Sequence, residues 1–147
     1  VTPALYGLLE RVHGHAAMLG LAVLLHPVIA LRRKGLSRGM RWSLGLAGGL
    51  IAGPTLLGWA LYPTYRSHVK PALVHDSLPV ALAFESKEHL AFVCLALTLS
   101  GVSVGLLSAR SKPAQQVAWA LLTGAWGCGL LAGVLGLWVA AVAQPGW

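Results

Sequence analysis

Four long apolar stretches, roughly Leu5 to Leu31, Trp42 to Tyr62, Leu78 to Ala109 and Ala114 to Ala143, leave this chain few ways to fold. Each exceeds the ~20 residues that an α-helix needs to cross ~30 Å of hydrocarbon. Apolar residues follow one another without alternation, which argues against the strands of an outer-membrane barrel. With 56% hydrophobic and only 10% charged residues among 147, the composition lies outside that of a soluble globule. The expectation is an all-α, integral membrane four-helix bundle of up-down-up-down topology. It forms one domain over 1–147, with helices near 5–31, 42–62, 78–109 and 114–143.

Charge placement orients the spans. Arg32, Arg33, Lys34, Arg38 and Arg41 fill the first connection, and Arg110 and Lys112 the third; both are short loops of the kind governed by the positive-inside rule. These loops are therefore assigned to the cytoplasm and both termini to the other side. The remaining basic residues, Arg11, Arg66, Lys70 and Lys87, share that outer side with every acid in the chain, Glu10, Asp76, Glu85 and Glu88. The net charge of +7 is thus topological, with some attraction for anionic lipid, and nucleic acid is not an expected partner. No cleavable signal peptide is expected, because the first apolar run follows Glu10 and Arg11 and carries histidines. The setting this implies is a bacterial inner membrane.

Glycine and proline punctuate the spans. The second span holds Gly45, Gly48, Gly49, Gly53 and Gly58, and the Gly49/Gly53 pair has the small-xxx-small spacing that admits a close helix neighbour. Pro54 is expected to kink it. Pro63 to Leu78 reads as the longest loop, lying over the outer end of the bundle, where such a loop often caps a site. Cys94 and Cys128 fall near mid-membrane and read chiefly as small hydrophobes.

The chemistry is concentrated in the six histidines. His13, His15, His68, His75 and His89 map to the outer half or the outer loop, and ionisable groups at membrane depth mark function by default. The first and third spans run in the same direction, so His15 and His89 lie at similar depth, and two imidazoles from parallel helices are what axial ligation of a haem requires. At about 100° per residue, His15, Met18, Ala22 and His26 share a stripe, whereas His13 points almost oppositely with Glu10 and Ala17. The soft and small residues of the first stripe favour His15, with Met18 beside it, as the haem-binding face; His13 is the alternative ligand. His26, which precedes Pro27, is expected to satisfy local backbone groups.

Two other readings compete with haem. Glu10/His13 and Glu85/His89 each place a carboxylate and an imidazole on one helical face, and His68 or His75 would close over them to bind copper, zinc or iron. Alternatively, these acids serve the positive ends of helix dipoles, and the chain is a scaffold subunit of a larger respiratory or photosynthetic complex. Phosphate-binding loops, nucleophile elbows and CxxC motifs do not occur, so hydrolase and nucleotide-dependent roles are not expected.

The stretch Val12-His13-Gly14-His15-Ala16-Ala17-Met18 through His26-Pro27 to Leu31-Arg32-Arg33, together with Glu88-His89-Leu90-Ala91-Phe92, resembles small membrane-bound b-type cytochromes. The likeness covers two spans of four. It implies a bis-histidine haem b near the outer surface that passes electrons between a quinol or partner subunit and an external acceptor. The chain departs from the two-haem members of that group because its second and fourth spans carry no histidine. Taken together, these features point to a redox or structural subunit, not a free-standing enzyme.

Overall fold

A computed structural model describes residues 2–34, 37–107 and 111–142, and in them the chain is helical almost throughout. Helix α1 spans Pro3–Lys34 and α2 spans Arg38–Thr64. A π-helical turn over Tyr65–Val69 leads into the short α3, Lys70–Asp76; α4 then covers Leu78–Leu107 and α5 covers Lys112–Val142. Four of these segments are long and apolar enough to cross a membrane: Ala4–Arg32, Arg38–Asp76, Leu78–Leu107 and Lys112–Val142. Side chains facing away from the bundle are largely apolar, including Trp42, Trp59, Leu107 and Leu137, as lipid-facing surfaces are.

Local signals explain most of the boundaries. Ser37 caps α2, its hydroxyl accepting a hydrogen bond from the Met40 amide at 3.2 Å. Of the segment expected to be a loop, Pro63 to Leu78, all but its end is instead a helical continuation of α2 as far as Asp76; Ser77 is the break, and Leu78 begins α4. Pro71 stands in the first turn of α3, where a missing amide hydrogen costs nothing. The π turn absorbs the register change just before it, the Lys70 amide reaching back to the Tyr65 carbonyl. The combined helix has 39 residues, about twice the number that an α-helix needs to cross ~30 Å of hydrocarbon.

Neighbouring helices are antiparallel. His13 lies beside Pro54 and Gly58, Gly20 beside Leu50, and His26 beside Ser43, which sets α1 against α2. Gly101 meets Leu122 and Gly129 meets Cys94, which sets α4 against α5. Helix α1 also packs on α5 and α2 on α4, so α1 and α4 stand at opposite corners of a square. One end of the bundle gathers Glu10, Asp76, Glu85 and Glu88 and is called the acidic end below; the other bears Arg32, Arg38, Arg41 and Lys112. Arg33, Lys34 and Arg110, counted with that basic end in the sequence, lie outside the described side chains.

The core of the basic half is closed and apolar. Leu24, Leu44, Ala47, Ala118, Leu122 and Ala125 are fully buried in it. Glycines set its spacing, but not the pair that the sequence singles out. A Cβ at Gly49 or Gly53 would meet nothing within 4 Å, because both face outward. Close approach occurs at Gly20, where a Cβ would come within 2.6 Å of the Leu50 carbonyl oxygen. Pro54, four residues further on, has no amide hydrogen to offer that oxygen, which is left free to face α1. Cys94 and Cys128 are free thiols, and Cys94 is buried against Gly129.

Candidate functional site

The acidic end is built differently from the rest of the bundle. The uncharged run of α4 from Leu90 to Leu107 covers about 27 Å, the thickness of the hydrocarbon layer. Glu85, Lys87, Glu88 and His89 directly precede that run on α4, and His13 of α1 is within electrostatic reach of Lys87.

His13, not His15, turns inward. Its ring is half-buried and rests on the α2 backbone, its Nδ1–H donating to the Pro54 carbonyl at 2.8 Å. Gly58 makes room for it: a Cβ there would lie 2.8 Å from the imidazole Cε1. The stripe of His15, Met18, Ala22 and His26 is exposed on the perimeter. His15 Nδ1 bonds the Arg11 carbonyl at 2.8 Å, and His89, also exposed, bonds the Glu85 carbonyl at 2.7 Å. Because α1 and α4 occupy opposite corners, the structure does not bring His15 and His89 face to face. His26 is paired with the Ser43 hydroxyl of α2 at 2.8 Å, where the sequence suggested backbone groups around Pro27.

The carboxylate and histidine set does not converge either. Glu85 is engaged by Lys70 in an ion pair. His75 is on the perimeter with Asp76 at 2.9 Å, and His68 bonds Ser67 and Thr64 within its own turn. Among the described residues, no three His, Cys, Asp or Glu side chains gather as a metal would require.

A different constellation fills the bundle axis at this end. Tyr65, in the π turn, is 3% exposed and stacks on Phe84 of α4, with ring centroids 3.6 Å apart and an interplanar angle of 10°. Its hydroxyl is buried without a hydrogen-bond partner. Glu88, Glu85, Tyr62 and Tyr6 lie within electrostatic reach of it. On the far face of Phe84 the Lys87 ammonium stands 4.2 Å from the ring centroid, held there as a cation–π pair. The Lys87 stem crosses α5 at Gly136, where a Cβ would lie 3.3 Å from its Cδ. Glu88 and Glu10 are in reach of this ammonium, and His13 is in reach of both Lys87 and Glu10. Charged groups of α4 and α1 thus influence one another across the axis, although the two helices do not adjoin.

Sequence reasoning passed over Tyr6, Tyr65 and Lys87. Tyr65 fell in a segment read as loop, where a phenol needs no partner. For Lys87 a signal was available: a lysine flanked by Glu85 and Glu88, on a span whose antiparallel neighbour carries Gly136 at the matching height.

No known protein family, curated protein or solved structure matches the chain.

Proposed function

We propose that the chain is an electron-transfer subunit of a larger membrane complex and carries one b-type haem at its acidic end. The observation that supports this most is shared by His13, His15 and His89. Each imidazole is held through Nδ1 by a backbone carbonyl at 2.7 to 2.8 Å, which leaves Nε2 with a lone pair for a metal. A carbonyl held by the other ring nitrogen in this way commonly orients a metal-ligating histidine. The donor chemistry fits haem iron; the pairing of His15 with His89 inside one bundle does not, since both rings stand on the perimeter of opposite corners. Either ring would hold a haem only at the edge of the bundle, and a neighbouring subunit would have to supply any further ligand. His13 is the inward alternative. A haem so placed supplies one-electron chemistry, and the half-buried carboxylate of Glu88 and the exposed one of Glu10 supply negative charge that lowers its potential.

The same reading places the acidic end outside a bacterial cytoplasmic membrane. Arg32, Arg38, Arg41 and Lys112 at the opposite end meet the positive-inside rule. Protein purified from membranes should give a Soret band and an α band that sharpens on dithionite reduction. Of His89→Ala and His15→Ala, the one that removes the ligand should lose the low-spin spectrum and the other should keep it, with the helical circular dichroism kept in both. Spectra free of both bands, from protein made with haem available, would overturn the redox reading and leave a scaffold subunit.

A further inference from the structure

Cations and acids are mixed at one end of the bundle and not at the other. All four acids of the chain, Glu10, Asp76, Glu85 and Glu88, belong to the acidic end. Arg32, Arg38, Arg41 and Lys112 are exposed at the opposite end, and none of them forms an ion pair with a described residue. Two of these cations are brought to one corner. The Arg32 guanidinium, near the end of α1, stands over the Trp119 ring of α5, its Cζ 5.3 Å from the ring centroid. Lys112 precedes Trp119 by seven residues, two helical turns, which returns it to within about 20° of the same face of α5. The indole covers one face of the guanidinium and leaves its N–H edges for an acceptor, and the chain has no carboxylate at this end to provide one. Arg41 is placed differently. It belongs to α2, at the corner opposite α5, and lies about 160° round that helix from Ser43, whose hydroxyl meets His26 of α1.

We propose that the α1/α5 corner of the basic end seats the phosphate of an anionic phospholipid, with Arg32 donating to its oxygens through the guanidinium edge and Lys112 supplying the second positive charge. This goes beyond a general attraction for anionic lipid, since it assigns the headgroup to one of four corners. The sequence around the two cations selects a lipid over a soluble polyanion. Arg32 directly follows the run from Val12 to Leu31, which holds no Asp, Glu, Lys or Arg, and Lys112 directly precedes the uncharged run from Pro113 to Val142. Cations so placed stand where a spanning helix leaves the hydrocarbon, which is where lipid phosphates lie, and a tryptophan beside them suits the same layer. A zwitterionic headgroup would leave the pair of charges uncompensated, whereas an anionic one neutralises them. The site is at the other end of the bundle from the proposed haem and does not depend on it.

The test places the purified full chain in nanodiscs of equal parts phosphatidylglycerol and phosphatidylcholine and counts, by native mass spectrometry after release, the lipids that each protein retains. Wild-type protein should retain phosphatidylglycerol in clear excess. Arg32→Gln and Lys112→Gln should each lower that excess about fivefold, the worth of one basic residue near a membrane surface. Arg41→Gln removes the same charge from the other corner and should leave the excess unchanged. All three side chains are exposed, so the helical circular dichroism should be kept throughout. No excess in the wild type, an excess untouched by Arg32→Gln or by Lys112→Gln, or an equal loss in Arg41→Gln would each overturn the proposal. The last result would mean that the whole basic end attracts lipid without seating it.

Discussion

The two halves of the bundle solve opposite problems. In the basic half, Leu24, Leu44 and Leu122 are fully buried among alanines, and glycines bring helices together until backbone meets side chain. In the acidic half Leu73, Val80, Ala81, Ala83 and Val139 form a second buried cluster around Tyr65, beside which an imidazole and a lysine stem pack against Gly58 and Gly136. A lipid-embedded bundle gains little from hydrophobic driving force between its helices, so tight packing carries its stability. In the other half polar groups, the Tyr65 hydroxyl and the His13 imidazole among them, are packed into the bundle as well, and it is there that the proposed function is placed.

Substitutions can break or sharpen that contrast. Leu122→Ala in the closed half should produce the largest loss, about 2–5 kcal/mol in reversible unfolding from mixed micelles, because a fully buried side chain leaves a cavity. Gly20→Ala should come next at about 1–3 kcal/mol, since its new methyl meets the Leu50 carbonyl and neither backbone can yield easily. Gly58→Ala should cost less in stability, because the atom displaced belongs to a side chain; the imidazole of His13 should leave Pro54, visible as a changed histidine ring signal in NMR. Lys70→Ala removes a solvent-screened ion pair with Glu85 and should leave the unfolding midpoint almost unchanged. Gly49→Ala should fall within about 0.5 kcal/mol of wild type, as its methyl would point to lipid. An equal cost at Gly49 and Gly20 would contradict the packing described here.

The sequence was informative about the four spans because hydrocarbon thickness dictates length and composition together. It was less informative about rotation. Periodicity gives the angle between His13 and His15 on α1 but not which of them faces the axis; that depends on Gly58 and Pro54, forty residues further on. The Gly49/Gly53 spacing misled for the same reason, since spacing names a face without naming its neighbour. Pro63 and Pro71 suggested a loop, yet a π turn and a first-turn position accommodate both within helix. Tyr65 then became part of the core, and the polar axis that it completes was hidden until the segment was seen to be helical.

The redox proposal depends on a haem at the acidic end. The most direct measurement is the pyridine haemochrome content of the chain purified together with its native membrane partners. The account predicts one haem b per chain, lost on replacement of the ligating histidine but unaffected by Gly49→Ala; a haem content of zero in a folded, intact assembly would contradict it.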